Sequence, residues 1–345
     1  MKSIYFMSAM LVGLPAFAAC EGEVPESDLG ANVETARQEL RQRGNRPSSD
    51  FYTSYTIDPN IGRLFKDLAK IDKDTGLAVA GPEIDLSNSD GVGLPAVLGL
   101  SIDPRDGTMY SFVNWVFGPS TQSELVTIDP DTGATTRLGD MHDMNFAGSE
   151  TDTCGNFYTV GFSGGYPDGP EVFFGDAQLY RFNTDTGEAT VIGDTGIEDM
   201  MDLAFDKQGV LWGTTMNKLF TIDVETGEST FVTDIVGVPT EGQPRNMVMS
   251  IDFDRRNRLY GSTTEAWLPV FAESAFMRIN HHTGQVSLVS ESNGLGAVHG
   301  GEFAPDFGRI CYAGHEVPVP MRFVQSLLDW GATLPSGVGS DCGCH

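Results

Sequence analysis

Strand-length apolar runs alternate with turn signals along most of this chain, and two short phrases account for nearly all of them. The first reads LAKIDKDTG at Leu68–Gly76, LVTIDPDTG at Leu125–Gly133, LYRFNTDTG at Leu179–Gly187, LFTIDVETG at Leu219–Gly227 and FMRINHHTG at Phe276–Gly284. Each copy is an apolar run, an Asx residue (Asp72, Asp129, Asn183, Asp223, Asn280) and a turn closing in Thr-Gly. An Asx side chain bonds backbone two residues on, and Gly takes positive φ without strain, so each copy predicts a hairpin. A second phrase alternates with it: LSIDPRDGTMY ending at Tyr110, ETDTCGNFY at Tyr158, LAFDKQGVLW at Trp212, IDFDRRNRLY at Tyr260 and EFAPDFGRICY at Tyr312. It predicts another hairpin whose return strand carries an aromatic. Two hairpins every 40 to 57 residues, five times over, predict an all-β chain folded as a β-propeller of four-stranded blades.

The pattern divides the chain. Residues 1–19 read as a signal peptide, with Lys2 at the start, an apolar run from Ile4 to Phe17, and a small-residue cleavage site at Ala16-Phe17-Ala18. Ala18-Ala19-Cys20 looks like a bacterial lipobox, with Phe17 in place of the usual leucine. Cys20 is thus the candidate for lipidation, on a polar tether covering 20–50. The propeller is expected over 51–317, and 318–345 holds a helix at Met321–Trp330 and a cysteine-bearing tail. Five blades are expected, with the ring closed by joining N- and C-terminal hairpins. Tyr52–Phe65 leaves a worn sixth inner hairpin open.

Composition narrows the partners. The chain carries 48 acidic against 21 basic residues, a net charge of −27, which excludes nucleic acid and confines any membrane contact to a lipid anchor. An exported outer-membrane, periplasmic or cell-surface location follows. Besides Cys20, the four cysteines Cys154, Cys311, Cys342 and Cys344 suit an oxidising compartment as disulfide candidates with three pairings open. Cys342-Gly343-Cys344-His345 lacks one residue of the haem-attachment spacing.

Propeller topology says where chemistry would sit. The Thr-Gly turns are short and uniform and share one face; the segments entering each inner strand and the loops between hairpins share the other, and both are irregular. Val116–Ser123, Phe162–Asp176 and Thr264–Ser274 carry Phe117, Tyr166, Phe173, Phe174, Trp267 and Phe271, candidates for binding a small molecule, glycan or protein partner, or for packing the loops together. Counting back from each blade's aromatic makes Asn145, Asp199, Met247 and His299 equivalent at the channel mouth, with Gly148, Asp202, Ser250 and Glu302 three residues deeper. Asn145, Asp199, Asn246 and Glu302 are oxygen donors suited to Ca²⁺; the plainer reading is that they satisfy backbone at strand starts. Six methionines (Met141, Met144, Met200, Met201, Met247, Met249) with His142 and His299 could instead hold copper, or fill gaps between sheets. No G-x-S-x-G, Walker or H-E-x-x-H signature occurs.

The Thr-Gly hairpins and aromatic strands resemble those of secreted bacterial propellers of the NHL, YncE-like and lactonase-type superfamily, a group that includes binders, scaffolds and enzymes. The resemblance implies the fold rather than the activity. A non-catalytic binding or scaffold propeller is the first expectation. The second is a calcium-dependent hydrolase similar to gluconolactonase and paraoxonase-type propellers. Asn145, Asp199, Asn246 and Glu302 would then hold the metal, with His299 as base.

Overall fold

In the computed structural model, the described residues are 50–56, 66–87, 91, 94–116, 122–162, 176–238, 246–265, 274–305, 307–312, 315–321, 324, 325, 328 and 334. Within the unit 49–345 they build five four-stranded antiparallel sheets. In the first two blades, β4 (Leu94–Ile102) is followed by β5 (Met109–Val116), β6 (Gln122–Ile128) and β7 (Thr135–His142), and β8 (Asn145–Thr151) by β9 (Phe157–Phe162), β10 (Asp176–Phe182) and β11 (Ala189–Glu198). In the next two, β12 (Asp202–Phe205) leads to β13 (Leu211–Thr214), β14 (Lys218–Ile222) and β15 (Ser229–Asp234), and β16 (Asn246–Phe253) to β17 (Leu259–Glu265), β18 (Phe276–Ile279) and β19 (Val286–Ser290). The fifth is composite: β20 (Ala297–Phe303) lies inside β1 (Asp50–Thr56), β2 (Asp67–Asp72) and β3 (Ala78–Glu83). Inner strands touch in a closed cycle, β4 to β8 to β12 to β16 to β20 and back to β4. The chain is a five-bladed β-propeller.

The closure differs in detail from the expected pairing of two hairpins. One strand comes from the C-terminal side and three from the N-terminal side, so Asp50–Thr56 is the second strand of the closing blade and not part of a sixth. Phe307–Tyr312 (β21) pairs instead with His315–Pro320 (β22) in a separate two-stranded sheet. Pairing of β20 with β1 closes the ring at the break. Met321, Val324, Gln325 and Leu328 have helical backbone.

Both turn phrases form as Asx turns. Asp72 Oδ1 accepts the N–H groups of Asp74 and Thr75 at 3.0 and 2.8 Å, and Asp129, Asn183, Asp223 and Asn280 repeat the bond. Asp103, Asp152, Asp206 and Asp254 do the same in the inner hairpins; in the closing blade the Ala304 N–H bonds the Asp50 carbonyl instead. The Thr-Gly glycine has a second duty. At Gly284, φ is 69° and a Cβ would stand 1.8 Å from the Asp234 carbonyl oxygen of the adjacent blade. Gly76, Gly133, Gly187 and Gly227 press in the same way on Ser290, Glu83, Leu138 and Gly193. The repeated glycine therefore sets the fit between blades as well as the turn.

The core lies between blades. Phe112 stacks on Phe146 at 4.5 Å, with Phe182 edge-on and Phe157 tilted beside it; Phe51 meets Phe276 at a tilt and Phe303 edge-on. Burying each ring contributes about 1.5–3 kcal/mol. The methionines are packing residues: Met200, Met201, Met247 and Met249 share one apolar cluster, Met141 joins a second and Met144 a third. His142 stands against Phe146 and Phe182, its Nε2 3.1 Å from the Gly187 carbonyl. The single thioether–imidazole cluster expected for copper is therefore not assembled. His281 packs edge-on against Trp212 and Phe253.

Candidate axial carboxylate site

Register defines one equivalent position per blade. Ser101 pairs with Tyr110, Glu150 with Tyr158, Ala204 with Trp212, Asp252 with Tyr260, and Glu302 with Tyr52. Three of these five positions carry a carboxylate, and all three are buried. One ligand oxygen from each of Glu150, Asp252 and Glu302 lies within 4.8 Å of the others. Two oxygens on one calcium ion are at most about 4.6–5.2 Å apart, twice the Ca–O distance, so the spacing suits that ion.

Close approach of the inner strands creates the burial. Gly148 on β8 has no side chain where a Cβ would be 2.2 Å from Asp202 Cα on β12. Some of the charge is met by backbone. Asp252 Oδ1 accepts from the Phe253 N–H at 2.5 Å and Oδ2 from the Phe303 N–H at 2.6 Å, tying β16 to β20. Glu150 Oε1 accepts from the Thr151 N–H at 2.7 Å, and Asp202 Oδ2 from the Ile251 N–H at 2.9 Å. Glu150 Oε2, Glu302 Oε2 and Asp202 Oδ1 are buried without a hydrogen-bond donor. Glu150 and Glu302 face one another: as two carboxylates they repel, and with one shared proton they bond. Burial first, then neighbouring carboxylates, pushes Glu150 and Glu302 well above the usual carboxylate range. Burial likewise raises Asp202, and carries Asp252 up to about 7. A donorless buried carboxylate needs either a proton or a cation.

The triad floors a cavity of about 370 Å³ that opens among Pro104, Thr153, Lys207 and Arg255, residues of the inner-hairpin turns. This funnel is on the face of uniform turns, opposite the face of irregular loops from which a site was expected. Phe117, Tyr166, Phe173, Phe174, Trp267 and Phe271 lie outside the described residues, as do Cys20, Cys342 and Cys344 and the side chains of Asn246 and Cys311. Cys154 sits in the β8–β9 turn, its N–H on Asp152 and its carbonyl accepting from Arg105.

Of the four expected metal ligands, the structure places only Glu302 in the triad. Asn145 pairs with Phe162 at the start of β8, level with Ala297, which pairs with Thr56. Ala297 precedes Glu302 by five residues, roughly 16 Å along a strand, so Asn145 and Glu302 cannot share an ion. Asp199 is half-buried with φ 54° ahead of β12, and Asn246 begins β16. His299 is buried in β20, and burial lowers its pKa to about 3. Glu150 and Asp252 escaped the sequence reading for one reason: the fifth aromatic is Tyr52, not Tyr312. Counting from Tyr312 displaces β20 by two residues and sets Glu302 level with Gly148, Asp202 and Ser250. An acidic residue opposite the paired aromatic, in three of five inner strands, was the available signal.

No protein-family model matches the chain, and no curated protein sequence matches it. Solved structures resemble it in fold. TolB from Acinetobacter baumannii aligns with TM-score 0.45 and 10% identity over 82% of this chain and 74% of that one. A GH43 glycoside hydrolase with an engineered active site aligns with TM-score 0.47 and 11% identity, over 70% and 50%. The calcium-binding protein regucalcin from Agrobacterium tumefaciens aligns with TM-score 0.38 and 12% identity, over 76% and 81%.

Proposed function

We propose that this chain is a binding propeller that holds one hard divalent cation, of the calcium class, on its axis through Glu150, Asp252 and Glu302. The observation that carries the reading is the pair of buried, donorless oxygens, Glu150 Oε2 and Glu302 Oε2, at the floor of an open funnel. Three carboxylates without a thiolate or imidazole ligand favour calcium over softer metals. Asp202 adds negative potential beside them. The cation's remaining positions face the funnel, where water or a ligand's oxygen completes the shell.

Binding is favoured over hydrolysis by the state of the one base the sequence offered. A general base works best with a pKa near the operating pH, and burial holds His299 near 3. Calorimetry with calcium on metal-stripped protein tests the reading: one site is expected, lost in E302Q and in D252N. Stoichiometric calcium retained by the E150Q/E302Q double variant would refute it, as would turnover of a lactone panel that H299Q abolishes.

The location belongs to the same proposal. The N-terminal sequence supports export with Cys20 as a lipid anchor, and the tail cysteines as disulfide partners for Cys154 or Cys311. Among the described residues no helix is long and apolar enough to cross a membrane. Changing Cys20→Ser should release the protein from the membrane fraction; an unchanged distribution excludes the anchor.

A further inference from the structure

The floor of the funnel has the spacing of a second kind of cation, and its walls suit what that cation would carry. One oxygen from each of Glu150, Asp252 and Glu302 lies within 4.8 Å of the others. A primary ammonium points three N–H donors in tetrahedral directions, and its bonds to carboxylates are about 2.7–2.9 Å long. Three acceptors around one such nitrogen therefore stand about 4.4–4.7 Å apart. Glu150 and Glu302 line the cavity, and the Oε2 of each is buried without a donor. The Asp252 oxygens each take one backbone N–H and keep a lone pair for another donor.

Ile102, Phe205, Phe253 and Phe303 each follow the paired position in their strands and line the cavity with apolar surface that a metal ion alone does not use. Among the described lining residues, five carboxylates stand against two bases, Lys207 and Arg255. Both bases are exposed, whereas the three floor carboxylates are buried. Solvent and salt screen the exposed charges far more than the buried ones, so the field inside the funnel favours a cation.

We propose that the metal-free funnel binds a primary organic ammonium with an apolar body, its three N–H groups donating to Glu150, Asp252 and Glu302. The inference rests on the same floor as the cation reading and makes calcium the amine's competitor, because both need the same oxygens. Three donors select a primary amine over a quaternary ammonium, which would leave Glu150 Oε2 and Glu302 Oε2 unmet. The apolar walls select an amine with a hydrocarbon body over the ammonium ion itself, because burial of that surface drives entry. A cavity of about 370 Å³ falls at the small end of ligand sites, which limits the body to a short aliphatic chain or a single ring.

Calorimetry on the metal-stripped mature protein at pH 8, where an alkylamine is charged, tests this with hexylamine, hexanol, hexyltrimethylammonium and ammonium chloride as probes. Hexylamine should bind tenfold or more tightly than each of the other three, and saturating calcium should abolish its binding. E302Q, with its fold checked by circular dichroism, should lose tenfold or more in hexylamine affinity. Calcium binding without hexylamine binding, or hexylamine bound no more tightly than hexanol or hexyltrimethylammonium, overturns the amine assignment and leaves the cation site standing. Hexylamine binding undiminished by calcium in a protein that binds both, or unchanged in E302Q, places the amine elsewhere and overturns the assignment too. Hexylamine binding lost in E302Q, in a protein with no calcium site, supports the amine and overturns the cation reading instead.

Discussion

Tyr52 and Glu302 stand opposite each other in the closing blade, although they come from opposite ends of the chain. This pairing closes the ring and brings Glu302 level with Glu150 and Asp252. Closure and site therefore depend on the same strand contact, and interference with β1 should damage both.

Phe51 tests the closure. It is fully buried, with ring centroids 5.2 Å from Phe276 and 5.1 Å from Phe303. Phe51→Ala should cost about 3–5 kcal/mol in denaturant unfolding, as large-to-small changes at such sites do. A loss below 1 kcal/mol would mean that β1 is dispensable to the ring.

Two glycines separate turn strain from blade packing. Gly284 and Gly209 have φ of 69° and 79°, so alanine at either costs about 1–2 kcal/mol of backbone strain. Only at Gly284 would the new Cβ meet the neighbouring blade, 1.8 Å from the Asp234 carbonyl; at Gly209 nothing lies within 4 Å. Gly284→Ala should lower Tm markedly more than Gly209→Ala. Equal shifts would show that the glycine serves the turn alone.

The axial carboxylates make cation-free stability fall as pH rises. Unfolded carboxyls titrate near 4, whereas burial carries Asp252 to about 7 and the others well above their usual range. The cation-free fold thus binds more protons than the unfolded chain. The carboxylates' contribution to its stability is full below about pH 4 and declines through 7. Calcium replaces those protons, so the Tm gain on adding calcium should be small at pH 5 and large at pH 8. A gain that does not vary with pH would contradict the site.

His299 acts in the opposite sense. Burial lowers its pKa to about 3, while in the unfolded chain it titrates near 6.5. Its contribution is present above about pH 6.5 and is lost as pH falls towards 3, by about 1.4 kcal/mol per unit. H299Q should therefore flatten the acid side of the stability–pH curve relative to wild type. An unchanged slope would show that His299 is charged in the fold.

Turn chemistry is local, and that is why so much of the fold was legible. Asp72 and Gly76 make their turn from bonds within five residues, so the pattern LAKIDKDTG carries its own hairpin wherever it occurs. Alternation of Asx hairpins with aromatic strands was enough for blades, their approximate boundaries and the joining of the ends. It was not enough for register in the last blade, because β20 takes its partner from the other end of the chain and Tyr312 imitates the expected aromatic.

The amino-acid sequence alone determined a ring of repeated four-stranded units, because hydrogen bonds inside each turn and alternation along each strand are short-range properties; that the units number five was decided by the pairing of Asp50–Thr56 in the closing blade. Tertiary structure decided which carboxylates meet. Glu150, Asp252 and Glu302 come from three separate strands, and a displacement of two residues in any one of them would carry its carboxylate roughly 6–7 Å along the axis. That distance separates a cation site from unrelated strand-end polar groups. It also decided which face opens to the axis: the floor of the funnel exists only where the inner strands, with glycine at close contacts such as Gly148, converge.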